Sequence, residues 1–195
     1  MKVILASKSS RRSDILSNIG LKFDVVKSGC DESYDVSMKP EDVVKYLSYK
    51  KAYNVAENLR YDALVIGADT IVVLDGMIMG KPKSTKDAFD MLKKLSGRCH
   101  TVYTGICVIK TQSLEKLVDF ESTIVKIKDL SDEEIENYIK SGEPMDKAGG
   151  YAIQGLGSLI VERLNGCYFN VVGLPVYKLS CMLKKFGLDL LSGEI

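Results

Sequence analysis

Short apolar runs alternate with apolar residues at helical spacing, and that alternation predicts the order of elements. Residues 3–6 (Val3, Ile4, Leu5 and Ala6) form an apolar run of the kind a buried strand shows, and Ile15, Leu16 and Ile19 then recur before Gly20. A strand, a polar turn and a helix capped by Ser9 or Ser10 follow from this pattern. Pro40 stands near the start of a longer helix reaching about Leu59, on which Leu47, Lys51 and Val55 are spaced by four and share one row. Lys51 thus lies beside the apolar face. Residues 63–68 are apolar or glycine throughout and predict a fully buried strand that stops at Asp69. Residues 71–74 and 77–79 flank Asp75-Gly76 and predict a hairpin.

Downstream, Ser84 or Thr85 opens a helix carrying Ala88, Met91, Leu92 and Leu95, and Gly97 ends it. Residues 101–109 and 116–127 alternate like paired strands. Ser131 and Glu134 have capping-box spacing for a helix ending near Gly142. Residues 158–162 and the stretch after Asn165-Gly166 predict another hairpin, and Pro175 opens a last helix to Gly187. Helices interleaved with parallel and antiparallel strands make an α/β (mixed α+β) protein around one large sheet, read as a single domain over residues 1–195.

Composition narrows the function classes. A chain of 195 residues buries about 70% of the surface its unfolded form exposes, enough for a core without disulfide or metal staples. Lys and Arg number 27 against 26 Asp and Glu, a net charge of +1 that provides no whole-protein field for a nucleic-acid polymer or a membrane surface. The five scattered cysteines form no Cys-x-x-Cys pair, which points to a reducing compartment. The apolar start is too short for a signal-peptide core, and no run approaches the roughly 18 residues of a membrane helix, so the expected location is cytoplasmic. One histidine, His100, excludes multi-histidine metal sites, leaving the chemistry to Asp, Glu, Lys, Arg and Ser.

Three segments carry candidate chemistry. Ser7-Lys8-Ser9-Ser10-Arg11-Arg12 stands where a strand hands over to a helix, and helix N–H groups, hydroxyls and guanidiniums together suit a phosphate; a simple cap with solvated arginines suits the residues as well. Asp69-Thr70 ends the buried run, where an acid can hold Mg²⁺ or take a proton from water, or merely cap a turn. Asp31-Glu32 offers further carboxylate, and Lys51 and Lys81 could reach phosphates as point charges. Between Asp146 and Gly157, four glycines permit close backbone approach, and Gln154 offers both a donor and an acceptor to a base edge; a strand with bulges explains the same residues.

Together these segments resemble the Maf family of nucleoside triphosphate pyrophosphatases. The likeness spans nearly the whole chain, through Leu5-Ala6-Ser7-x-Ser9-x-Arg11-Arg12, Asp31-Glu32, Lys50-Lys51-Ala52, Gly67-Ala68-Asp69-Thr70, Gly80-Lys81-Pro82, Ser141-Gly142-Glu143-Pro144, Asp146-Lys147-Ala148-Gly149, Ile153-Gln154-Gly155 and Gly173-Leu174-Pro175. The family pattern has proline where this chain has Ser10. The resemblance implies an elongated, bent mixed sheet flanked by helices, with two lobes and a cleft, similar to inosine triphosphate pyrophosphatases. It implies hydrolysis of dTTP and UTP to the monophosphate and pyrophosphate with a divalent cation, Mg²⁺ or Mn²⁺. In that reading Asp69 accepts the proton, Glu32 and Asp69 hold the cation, and Lys51 and Lys81 hold phosphates. Ser7, Ser9, Arg11, Arg12, Thr70 and Gln154 bind and select the substrate, the trio Arg11, Thr70 and Gln154 matching the pyrimidine branch. The family also brings a homodimer and a cell-division partner into view, and with them a second function class, a nucleotide-binding regulator of septum formation acting through protein contacts.

Overall fold

Strand β1 (Lys2–Leu5) leads into helix α1 (Ser10–Asn18), the two-residue strand β2 (Asp24–Val25) and helix α2 (Pro40–Ala56) in the computed structural model, which describes residues 1–192. Next come β3 (Ala63–Leu74), β4 (Met77–Met79), α3 (Thr85–Leu95), β5 (Cys99–Lys110), β6 (Lys116–Ile127) and α4 (Asp132–Lys140). Three short 3-10 turns at Glu143–Asp146, Ala148–Gly150 and Gly155–Leu159 precede β7 (Val161–Asn165), α5 (Tyr168–Val172) and α6 (Val176–Lys185). Among the described residues this is a mixed α/β fold with strand order β2-β1-β3-β5-β6-β7 and β4 paired to β3. β1 is parallel to β2 and β3, whereas β4 and β7 run antiparallel to β3 and β6. The last three residues of the 1–195 span fall outside the described residues. No described helix is long and apolar enough to cross a membrane.

Two expectations fail for physical reasons. The strand expected to stop at Asp69 continues through it to Leu74. Aspartate is disfavoured in strands, but here the Asp69 carboxylate meets the Lys51 ammonium, so its charge does not force the backbone out of the sheet. The expected hairpin around Asn165-Gly166 is absent. Gly157, Ser158 and Leu159 lie in a 3-10 turn, β7 pairs instead with β6 (Val125 opposite Leu164), and the chain after Gly166 turns into α5. The partner of β7 lies about forty residues upstream, beyond what a local pattern registers.

The described residues divide into two compact units. The first comprises Met1–Asp69, Thr104–Glu121 and the segment from Gly173 onward. Its helix α2 lies directly on the strands, because two glycines remove the side chains that would intervene. A Cβ on Gly67 would stand 2.3 Å from the Ser48 carbonyl oxygen, and one on Gly105 would stand 2.1 Å from that of Val44. Around this contact Ile4, Ala52, Val55, Val65, Cys107 and Ile109 form a buried cluster, each large side chain contributing about 1.5–3 kcal/mol by leaving water. Cys107 is fully buried, and that burial pushes its thiol pKa up to about 12.

The second unit comprises Thr70–Tyr103 and Ser122–Val172. Its core gathers Val72, Leu92, Leu95, Val125, Ile135 and Tyr138. The Ser84 hydroxyl accepts from the Asp87 N–H at 3.1 Å to start α3, and Ser131 and Glu134 complete the expected capping box of α4. His100 is 3% exposed; its Nε2 lies 2.6 Å from the Tyr151 hydroxyl, and its Nδ1 has no hydrogen-bond partner among the described residues. Burial holds this imidazole neutral, its pKa pushed down to about 4.

Candidate active site

Because α2 is seated on Gly67 two residues before Asp69, the row containing Lys51 comes down onto the middle of β3. Lys51 Nζ lies 2.5 Å from Asp69 Oδ1 and 3.1 Å from Glu32 Oε1, so one ammonium bridges two carboxylates. The Lys51 and Asp69 side chains are only 11% and 10% exposed, which makes this a desolvated pair, while Glu32 is 62% exposed on its loop. Removing one member of such a pair leaves its partner buried and uncompensated.

The loop that carries Glu32 has no regular structure, yet α2 holds it. Asn54 Oδ1, one turn beyond Lys51, accepts from the Gly29 N–H at 3.1 Å and from the Ser28 hydroxyl at 3.4 Å. Asp31 accepts from the hydroxyl and the N–H of Ser33, and these bonds, with a smaller contribution from Lys50, hold its carboxyl below the usual range. Asn54 was not among the candidates; its place three residues after Lys51 is the signal that could have found it.

The Ser7 to Arg12 turn is tied inward. The Ser7 hydroxyl, nearly buried, accepts from the Ser9 N–H at 3.1 Å and from Arg12 Nη1 at 3.4 Å. Ser9 occupies the position before α1, but its hydroxyl makes no cap bond. Arg12 Nε donates to the Gly173 carbonyl at 2.8 Å, fastening α1 to the segment before α6. Desolvation lowers the Arg12 pKa, and Asp69 opposes it, with smaller effects of Arg11 and Glu32. The guanidinium therefore stands in the field of both carboxylates. Arg11, half-buried, sits beside it on the first turn of α1.

The remaining candidates belong to the second unit. Thr70 is the residue after Asp69 on β3. Lys81 is exposed and follows Gly80, whose carbonyl accepts from the Gly149 N–H at 3.0 Å. Gln154 is exposed just before the 3-10 turn Gly155–Leu159. Thus Asp69, Lys51 and Glu32 converge directly, Ser7 joins Arg12, and Thr70, Lys81 and Gln154 stand on three separate segments.

The donor set also suits a hard cation. Asp69 Oδ1 and Glu32 Oε1 both reach a single nitrogen, so two carboxylate oxygens already face one point. Magnesium commonly takes only one or two protein carboxylates, with water and phosphate oxygens filling its octahedron. No group of three or more His, Cys, Asp or Glu that could hold a metal occurs among the described residues.

A buried lysine–aspartate pair beside a serine–arginine turn combines fixed charge with hydrogen-bond donors, and the sequence comparisons place the chain in a family. The profile of the family described as Maf-like protein matches residues 2–186, and the chain belongs to that family. A "dTTP/UTP pyrophosphatase" of Caldicellulosiruptor saccharolyticus is 54% identical to it over 100% of this chain and 99% of that one. A protein of the same name from Thermoanaerobacter sp. (strain X514) is 55% identical over 95% of this chain and 96% of its own. Among solved structures, the Ham1 protein of Staphylococcus aureus matches 83% of this chain and 80% of that chain at 16% identity, with a TM-score of 0.45.

Proposed function

We propose that this protein hydrolyses dTTP and UTP to the nucleoside monophosphate and pyrophosphate, using Mg²⁺ or Mn²⁺. The observation that carries this reading is the Lys51 bridge between Asp69 and Glu32; the relatives' shared name supports the choice of substrate. A water oxygen attacks the α-phosphorus, the bond from that phosphorus to the α,β-bridging oxygen breaks, and pyrophosphate leaves. Asp69, buried and fixed in a strand, orients the water and takes its proton. Lys51 balances the carboxylate charge until substrate arrives and then lies within reach of a phosphate oxygen. Asp69 and Glu32 would hold the divalent cation, which when bound would neutralise charge on the phosphates. Lys81 and Arg11 add fixed positive charge, with Ser7, Ser9 and Arg12 shaping the turn that carries Arg11. Thr70 and Gln154 address the base, the Gln154 amide donating to a pyrimidine carbonyl and accepting from the ring N–H.

The test is a panel of nucleoside triphosphates assayed with Mg²⁺, with Mn²⁺ and with chelator, the products being identified by chromatography. UMP and dTMP with one equivalent of pyrophosphate are expected, and activity should vanish with chelator. A diphosphate product with orthophosphate would overturn the assigned cleavage site.

A further inference from the structure

The backbone around Gln154 is held by a device that the reaction scheme does not use. Glu143, at the start of the 3-10 turn after α4, turns its carboxylate toward the segment 152–157. Its Oε1 accepts from the Tyr138 hydroxyl at 2.8 Å and from the Gly157 N–H at 2.9 Å. Its Oε2 accepts from the Leu156 N–H at 3.0 Å. The Tyr138 hydroxyl in turn accepts from the Ala152 N–H at 3.1 Å. Two side chains therefore fasten the backbone on both sides of Gln154, whose own amide makes no hydrogen bond among the described residues.

The fit leaves no slack. Gly155 has φ +64°, which favours glycine, and a Cβ there would lie 2.5 Å from Glu143 Oε2. A Cβ on Gly157 would lie 2.0 Å from the Ala152 carbonyl oxygen and 2.8 Å from the Tyr138 hydroxyl. Burial raises the Glu143 pKa, but the bonds from Tyr138, Gly157 and Leu156 and the charge of Lys147 outweigh it and hold the carboxyl below its ordinary value. Lys147 also donates to the Glu143 carbonyl at 2.8 Å, so the turn itself is anchored. An exposed, unused amide on a backbone fixed from both sides is a preorganised reader: the ordering is done before the ligand arrives.

We propose that Glu143 and Tyr138 are positioning residues for base recognition, a clamp that presets residues 152–157 so that the Gln154 amide meets the pyrimidine edge. The proposal rests on the reading of Gln154 given above. Glutamine at 143 keeps the size but has one acceptor oxygen, so its NH₂ must face either the Leu156 N–H or the Gly157 N–H and Tyr138 hydroxyl. Phenylalanine at 138 keeps the packing and removes only the hydroxyl link.

The test compares wild type, Glu143→Gln, Tyr138→Phe, Gln154→Ala and the double variant Glu143→Gln/Gln154→Ala. Two quantities are read: kcat/KM for UTP, and the Ki of inorganic tripolyphosphate as a competitor that has phosphates but no base. Loss of one or two such bonds should lower kcat/KM for UTP by about 5- to 100-fold, while the tripolyphosphate Ki stays within about twofold of wild type because no phosphate-binding group has moved. The double variant should be no worse than Gln154→Ala alone. A parallel loss of tripolyphosphate affinity, unchanged UTP hydrolysis, or additive losses in the double variant would overturn the clamp. If Glu143→Gln does not fold, Tyr138→Phe is judged by the same criteria. An unaltered kcat/KM in Gln154→Ala would instead overturn the reading of Gln154, so the two failures are distinct.

Discussion

The two units place their polar groups in opposite ways. In the first, charges ride on regular elements: Lys51 on a helix, Asp69 in mid-strand, the two brought together because Gly67 lets one backbone rest on another. In the second, Gln154 sits just before a turn whose backbone N–H groups are held by a carboxylate and a phenol. A desolvated ion pair needs rigid backbone on both sides, since a small displacement leaves each charge buried and unpaired. A hydrogen-bonding reader needs only its local backbone fixed, and a loop can supply that. On the proposed reading, the reacting groups and the base-reading group are held by different kinds of structure, and perturbing each should give a different signature.

The largest effect is expected at the ion pair. Asp69→Asn keeps an acceptor for Lys51 but removes the proposed base, and UTP turnover should fall by about two to four orders of magnitude, with the thermal midpoint lowered as well because the buried Lys51 ammonium loses its charged partner. Steady-state rates with a melting curve check this, and near-normal turnover would move the base elsewhere. Gly67→Ala challenges the support instead of the chemistry. Its Cβ would press on the Ser48 carbonyl and Ala52, so urea unfolding should show a loss of about 1–3 kcal/mol, together with reduced turnover as Lys51 is displaced. Wild-type stability would mean that α2 is not locked to the strand.

The smallest effect lies in the second unit and is read through pH. His100 is neutral in the fold with its pKa near 4, and a second ring proton would place an N–H at Nδ1 with no acceptor. Since the folded value is depressed, the unfolded chain binds the proton first. This contribution to stability is complete above the ordinary histidine value of about 6.5 and is lost as pH falls toward 4, reaching about 3 kcal/mol over the full window. Between pH 6 and 5, ahead of most carboxylates, stability should drop by about 1 kcal/mol, and His100→Phe should flatten that slope. Urea midpoints at several pH values decide it. As His100 is the chain's single histidine, no other imidazole can mask the result.

What the sequence pattern made legible was whatever repeats locally. The spacing of Leu47, Lys51 and Val55 placed Lys51 on the buried face of α2, and Ser131 with Glu134 announced the start of α4. The passage of β3 through Asp69 was hidden, because the residue that neutralises Asp69 stands eighteen positions away on another element. The same applies to β7 and its distant partner β6. Asp69, Lys51 and Glu32 were recoverable as candidates from residue type and family likeness, but their convergence depends on Gly67, whose role is visible only once the helix lies against it. Glu143 gave no sign of its three hydrogen bonds, two of which go to backbone groups thirteen and fourteen residues on.

The seating of α2 also contains its own clock. Cys107 packs beneath that helix with Ala52 and Val55, and burial pushes its thiol pKa up, so the reactive thiolate is disfavoured in the fold. Cys99 and Cys181 are exposed and should label first with a thiol reagent, followed by the half-buried Cys30 and Cys167. Cys107 should react only if the helix lifts, so a slow labelling phase would time excursions in which Lys51 leaves Asp69. Substrate that binds across that pair should lengthen the phase.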